Sequence, residues 1–102
     1  MTKKELQEKE NRIVKTIFDM DWDNAKILRV SPLRECSATV LETKDAYILR
    51  SYRTIVAILI KETGILYDGL RYVYGYTATS AQHISKFGRD YGAQHKYTYK
   101  PI

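Results

Sequence analysis

The sequence predicts an α+β fold: an N-terminal helix, an antiparallel sheet of four or five strands, a C-terminal helix packed on the sheet, and a tail that could form a final edge strand. Apolar residues recur at helical spacing near both ends of the chain and at strand spacing between them. At 102 residues the chain is long enough for one domain and too short for two. The parts of this single domain are 1–24, helix and turn; 25–76, antiparallel sheet; 77–92, helix; and 93–102, basic tail or edge strand.

The first predicted element is a helix from residue 3 to about residue 20. Its apolar side chains share one face, because they recur every three or four residues. They are Leu6, Ile13, Val14, Ile17, Phe18 and Met20. Clustered aspartates over residues 19–24 favour a turn and end the helix. We interpret Trp22 in this turn as a lid on the core rather than as a binding residue.

Between residues 25 and 76 the apolar pattern is typical of strands. The predicted strands are 26–30, 36–42, 46–51, 54–61 and 65–67, with the last continuing after a break as 70–76. The apolar run within 54–61 is continuous, which indicates a central strand covered on both faces. Gly64 supplies the positive φ of the next hairpin loop. Four residues of one parity are predicted to line one face of the last strand: Leu70, Tyr72, Tyr74 and Tyr76.

The second helix is predicted to begin at Thr77 or Thr79, either of which can cap it, and to end at Gly92. Its buried stripe is Ala81, Ile84, Phe87 and Tyr91. His83 lies at the margin of that stripe. We expect it to hydrogen-bond a tyrosine or threonine hydroxyl of a strand, and not to act as a base. Both helices are expected on one face of the sheet.

The net positive charge belongs to the second half of the chain. Residues 1–49 carry nine Lys or Arg and nine Asp or Glu, whereas residues 50–102 carry eight against three. The second half therefore carries the whole net charge of +5. Such an asymmetry favours an acidic or a nucleic-acid partner. The alternative is that the charge only keeps a small domain in solution.

The chain carries no recognisable motif for catalysis or for metal binding. Its single cysteine, Cys36, excludes an internal disulfide and a multi-cysteine zinc site, and is interpreted as a core residue. A Ser-His-acid order, a Gly-rich phosphate loop and an HExxH motif are all missing. We therefore expect no enzyme activity, no cofactor and no metal. Without a signal peptide or a long apolar run, the protein is expected to be soluble and cytoplasmic.

Tyrosines and basic residues are interleaved from residue 50 to the C-terminus. Tyrosine and arginine anchor protein interfaces, because they bury a large area while losing little conformational entropy. The same pair stacks on bases and contacts phosphates. From this set we predict a contact face made of Arg71, Tyr74, Tyr76, Arg89, Lys96 and Tyr97. The alternative is that the tyrosines are sheet residues half covered by a helix.

Residues 51–92 resemble a small domain family of phages and mobile elements of Gram-positive bacteria. The matching residues are Ser51, Tyr52, Thr54, Val56, Ala57, Gly64, Tyr76, Thr77, Ala78, Thr79, His83, Ile84, Phe87 and Gly92. That family has no known active site, so the resemblance implies a context rather than residue roles. The implied context is a compact accessory protein of a phage or prophage. Such proteins often bind and disable host machinery, including CRISPR nucleases.

The leading hypothesis is a phage- or mobile-element-encoded, non-enzymatic binding protein in the cytoplasm of the host cell. It would inhibit a host defence system, in the manner of an anti-CRISPR protein, by binding a protein target such as a CRISPR nuclease complex. The alternative hypothesis is a nucleic-acid-binding phage accessory protein that uses a Tyr/Arg-rich basic face. A third hypothesis is a small homodimer whose seam is the helix over residues 3–20. None of the three involves a membrane.

Overall fold

The computed structural model describes residues 1–22, 24–33, 37–73, 75 and 77–101. Its fold is α+β, as predicted, with an N-terminal helix, a mostly antiparallel sheet and a later helix. The sheet has six strands, more than the four or five predicted. The elements in chain order are α1 Lys3–Phe18, β1 Arg29–Pro32, β2 Ala38–Glu42, β3 Ala46–Ser51, β4 Thr54–Ile60, β5 Ile65–Asp68, α2 Leu70–Val73, α3 Ala78–Asp90 and β6 His95–Thr98.

The strands lie side by side in chain order, from β1 to β6. Neighbouring strands pair antiparallel up to β5, whereas β6 pairs parallel with β5, because the chain passes through α2 and α3 before it returns. β6 is the edge strand predicted for the tail. β4 is central, as its continuous apolar run predicts, and Val56 and Leu59 at the ends of its buried stretch are 0% and 2% exposed. Gly64 has φ 71° in the β4–β5 turn, as predicted.

The two long helices lie on opposite faces of the sheet. α3 packs Ile84 and Phe87 into a core cluster on one face, which includes Leu49 of β3. The end of α1 and the turn after it pack against a second cluster on the other face, centred on Ile48 and Ile58. The expectation that both helices share one face is wrong. Adjacent strand residues such as Ile48 and Leu49 point to opposite faces, and because both are fully buried each face needs its own cover.

The segment predicted as the strand 70–76 begins instead with a short helix. β5 ends at Asp68, whose carboxylate accepts a hydrogen bond from the Leu70 backbone N–H (Oδ1···N 3.1 Å). This local side-chain bond competes with the strand ladder and starts α2. Leu70 and Tyr72 therefore lie on a helix and do not line a strand face.

The N-terminal helix is shorter than predicted and its buried face is different. It begins at the Thr2 cap and ends at Phe18 rather than near residue 20. Leu6 and Met20 are 48% and 53% exposed, so their predicted burial is wrong. The reason is that α1 runs beside β5 and β6 at the edge of the sheet, where its buried residues are the polar Asn11 and Val14.

Three further sequence predictions concern the strand β1, Trp22 and Cys36. This strand runs over Arg29–Pro32, not over 26–30, and a proline is tolerated there because β1 is an edge strand. Trp22 packs against the Ile48 cluster, as predicted for a core lid, and its indole N–H donates to the Ile17 carbonyl (2.8 Å), but the side chain remains partly exposed. The predicted core residue Cys36 lies outside the described residues.

Candidate functional site

A groove runs between α3 and β6, and we call it the α3–β6 groove. It consists of two adjoining cavities of about 410 and 290 Å³, and Ser85 and Lys96 line both. The larger cavity is bordered by α2 and by the tail after β6, and the smaller one by the end of α3. The described basic residues that line the groove are Arg71, Arg89, Lys96 and Lys100, and Asp68 is the described acidic one.

Each of these cations comes from a different part of the chain. Arg71 is on α2, Arg89 is in the last turn of α3, Lys96 is on β6, and Lys100 is in the tail. The position of Arg89 is itself favourable, because a cation in the last turn complements the helix dipole. The parallel pairing of β6 with β5 places Lys96 opposite Leu66, on the face that α3 covers. The groove is therefore a product of the crossover from β5 to β6.

Asp68 is the buried acid of the groove, at 8% exposure. Its Oδ2 atom lies 3.2 Å from the Lys96 ammonium, while its Oδ1 atom accepts the Leu70 N–H. Lys96 is thus paired with Asp68, and among the described residues that line the groove the four cations outnumber the one acid. The same aspartate also fixes the tail, because its carbonyl accepts the Tyr99 N–H (2.9 Å).

Asn11 of α1 holds the tail so that Lys100 stays beside the groove. Its side-chain amide donates to the Lys100 carbonyl (2.7 Å), and its Oδ1 atom accepts the Lys100 N–H (3.1 Å). Gln7 donates a further hydrogen bond to the same Oδ1 atom (2.7 Å). Asn11 thereby satisfies both backbone groups of Lys100 as a neighbouring strand would, which explains a buried asparagine on this helix.

The structure brings together some of the predicted contact residues and separates others. Arg71, Arg89 and Lys96 all line the α3–β6 groove. Tyr97 does not: it lies on the opposite face of β6 and stacks on Tyr67, with ring centroids 5.8 Å apart and 14° between planes. Burial, and then the neighbouring Tyr97, raise the pKa of Tyr67.

The remaining two predicted contact residues, Tyr74 and Tyr76, lie outside the described residues. Lys100 lines the groove but is missing from the predicted contact face. In the sequence, Lys100 was marked only by its place in the basic tail. The hydrogen bonds to Asn11 that position it join residues 89 apart in the chain, so no local pattern could reveal them.

A second polar cluster joins β3 to α3. The Ser51 hydroxyl lies 3.0 Å from Nδ1 of His83 and 3.0 Å from the Ser80 hydroxyl. His83 thus anchors the helix to a strand, as predicted, through a serine rather than a tyrosine or threonine hydroxyl. The pattern of the sequence offered no signal for Ser51 or Ser80, because a serine at a strand end or in a helix is usually exposed.

A serine beside a histidine resembles a nucleophile with its base, but this pair is buried. Ser51 and Ser80 are each 1% exposed and His83 is 5% exposed. Burial, and then the nearby Lys86, lower the pKa of His83 and keep the imidazole neutral. The arrangement can tie α3 to the sheet, whereas a substrate could reach the Ser51 hydroxyl only if α3 moved.

The described residues also bear on metal binding and on membrane insertion. The described part of the chain holds no cluster of three or more His, Cys, Asp or Glu suited to a metal ion. None of its helices is long and apolar enough to cross a membrane. No family model, curated protein or solved structure matches the chain.

Proposed function

We propose that this protein is a non-enzymatic binding protein that holds an acidic surface of a protein partner in the α3–β6 groove. One observation carries the proposal: cations from α2, α3, β6 and the tail line a single groove together with one described acid. Surfaces of complementary charge steer association and fix the register of a complex.

The exposure of the groove residues fits a protein contact. Arg71, Arg89, Lys96 and Lys100 are all exposed, so a partner can reach their charges without unfolding any element. Asp68 and Asn11 hold Lys96 and Lys100 in place, which lowers the entropy lost on binding. By analogy with the phage setting that the resemblance of residues 51–92 implies, the proposed partner is a host defence component such as a CRISPR nuclease complex, which the protein would inhibit.

The test is affinity capture from a lysate of a Gram-positive host, with and without nuclease. We expect a nuclease-resistant partner that is retained by the wild type and lost by the double variant R71Q/R89Q. The matched control is K9Q/K44Q, which removes two charges at exposed positions outside the groove and should retain the partner. Retention by R71Q/R89Q at the wild-type level would contradict the proposal.

A second candidate function is nucleic-acid binding, and the position of Tyr99 favours it. Tyr99 lines the larger cavity together with three of the cations, and an aromatic ring beside cations is typical of surfaces that hold single strands. Nucleic-acid binding weakens steeply as salt rises, because phosphate contacts release counterions. Capture that nuclease abolishes, together with a steep salt dependence, would favour this function over a protein partner.

A further inference from the structure

The short helix α2 also borders a second cleft, which we call the aromatic cleft. Arg71 of α2 lines the α3–β6 groove, whereas the next residue, Tyr72, lines this cleft. The cleft measures about 550 Å³, within the roughly 300–1,000 Å³ typical of small-molecule sites. Its lining includes Phe18, Asp19, Trp22, Arg53, Ile55 and Tyr72.

Three aromatic side chains of the cleft are held in place before any ligand arrives. Phe18 and Trp22 pack on the Ile48 cluster, and the Trp22 indole N–H is bound to the Ile17 carbonyl. Tyr72 meets the Phe18 ring edge-on, with centroids 6.4 Å apart. Because these rings are only partly buried, they offer fixed aromatic surface to a ligand.

One acid and one cation accompany the rings. The Tyr72 hydroxyl donates to Oδ1 of Asp19 (2.8 Å), and this hydrogen bond is the largest cause of the raised pKa of Tyr72. Lys15 lies 3.5 Å from Oδ2 of Asp19 and offsets its charge. Among the described residues that line the cleft, Asp19 and Arg53 carry one charge of each sign, and the charge of Asp19 is further offset by Lys15 beside the cleft.

The charge balance decides between two ligand classes that bind aromatic clefts. A quaternary ammonium or methylated lysine is attracted by the faces of the rings, but the Arg53 guanidinium in the cleft lining and Lys15 beside Asp19 oppose a cationic ligand. A planar aromatic body that carries an anion fits both the rings and Arg53. Asp19 keeps acceptor capacity beyond its bond with Tyr72 and can accept a hydrogen bond from an amino group.

We propose that the aromatic cleft binds a nucleotide: the base stacks on Trp22 and Tyr72, Arg53 holds the phosphate, and Asp19 accepts the exocyclic amino group of the base. The same chemistry is offered by a free nucleotide and by one nucleotide of a single strand. This inference concerns a different cavity from the α3–β6 groove and is independent of the proposed protein partner.

The test uses the intrinsic fluorescence of Trp22, which is the single tryptophan of the chain. Titration with AMP should quench it to saturation. Adenosine, which lacks the phosphate, should bind roughly tenfold more weakly, as expected for one charge-assisted contact. The variant R53Q should bind AMP as weakly as the wild type binds adenosine. Its matched control, R29Q, changes an exposed arginine on β1 and should bind AMP as the wild type does.

Arg53 is exposed, so R53Q should fold, and its binding is interpretable. Equal AMP affinity of R53Q and wild type would overturn the proposal, as would the absence of saturable quenching by AMP and by a single-stranded adenine hexanucleotide. Tighter binding of tetramethylammonium than of AMP would also overturn it. If the hexanucleotide binds more tightly than AMP, the natural ligand is a nucleotide within a single strand. If the two bind equally, the natural ligand is a free nucleotide. R71Q/R89Q should leave AMP binding unchanged.

Discussion

The two faces of the sheet are closed by different means. Under α3 the centre of the contact is fully buried: Ile84 and Phe87 are 0% exposed and the Ser51–His83 hydrogen bond lies beside them. Ala81 and Tyr91, predicted in the same buried stripe, are only partly buried. Under α1 the cover is looser, because Phe18 and Trp22 remain partly exposed and a polar residue, Asn11, makes the link to the tail.

This difference separates the two candidate sites. Ile84 and Phe87 of α3 are buried and cannot contact a partner. The basic side chains that line the α3–β6 groove beside this helix are exposed. Where the end of α1 leaves aromatic rings within reach of solvent, stacking becomes possible, and the aromatic cleft results. Stability should therefore depend more on the α3 face. The two sites adjoin where the Tyr72 ring of the aromatic cleft meets the Tyr99 ring of the α3–β6 groove, with centroids 5.3 Å apart.

The strongest test of this comparison is to truncate one phenylalanine ring on each face, Phe87 under α3 and Phe18 at the end of α1. Phe87→Ala should lower the free energy of unfolding by about 3–5 kcal/mol, because it leaves a cavity in a fully buried site. Such a loss approaches the whole stability of a small domain. Phe18→Ala should lower it by only about 1–2 kcal/mol, because that ring is partly exposed. Urea denaturation of both variants measures the difference. Equal losses would show that the two faces do not differ in this way.

A pair of glycine substitutions tests the same comparison with smaller effects. A Cβ at Gly69 would lie 2.5 Å from ring carbons of Phe18, so Gly69→Ala should lower the free energy of unfolding by about 1–3 kcal/mol. A Cβ at Gly88 would meet a methyl of Leu66 at 3.2 Å and the Cβ of Ala93 at 3.7 Å, both of them side-chain atoms. Alanine stabilises a helix interior by about 1 kcal/mol relative to glycine, so Gly88→Ala should remain within about 1 kcal/mol of wild type.

The cause of the Gly69 effect can be isolated with a double variant. If the clash is with the Phe18 ring, Gly69→Ala should cost much less in a Phe18→Ala background than in the wild type, and urea denaturation of the four proteins measures this coupling. Additive losses would mean that the backbone at residue 69, and not the ring, rejects the methyl group.

Elements with strong local signals could be predicted from the sequence. The continuous apolar run of β4 indicated a strand with two buried faces, and Thr77, one of the two predicted caps, does cap α3 with its hydroxyl. The tail strand followed from its alternation. The same apolar run also implied a helix on each face, a consequence that the expectation of one shared face overlooked.

A local hydrogen bond and several long-range contacts decided the features that the residue patterns did not predict. Alternating aromatic residues over 70–76 favoured a strand, but the hydrogen bond from Leu70 to Asp68 ends β5 and starts α2. The basic residues of the groove could be read from the sequence. Their grouping could not, because it depends on the parallel pairing of β6 with β5 and on the hydrogen bonds from Asn11 to Lys100. The predicted contact face combined Tyr97 with Lys96, but the register of β6 places these two side chains on opposite faces of the strand.

The smallest expected effect is a pH dependence that comes from the α3 face. Burial lowers the pKa of His83 in the native state below its ordinary value of 6.5, so below that pH the unfolded chain binds the proton more readily. The free energy of unfolding should therefore be highest above pH 6.5 and fall as pH drops from there to the native pKa. One proton sets the limit of the slope at about 1.4 kcal/mol per pH unit. Urea denaturation between pH 5 and 8 measures it.

Two variants assign this slope to the buried histidine. His83→Asn keeps a donor and an acceptor beside Ser51 but cannot titrate, so its stability should be flat where that of the wild type slopes. His95→Asn removes the exposed histidine of β6 and should keep the wild-type slope.

Carboxylates contribute to stability at lower pH. The hydrogen bond from Lys61 lowers the pKa of Glu42 from 4.5, so the contribution of Glu42 to stability is lost only as pH falls below that value. A slope that survives in His83→Asn would place the pH sensitivity outside the α3 face.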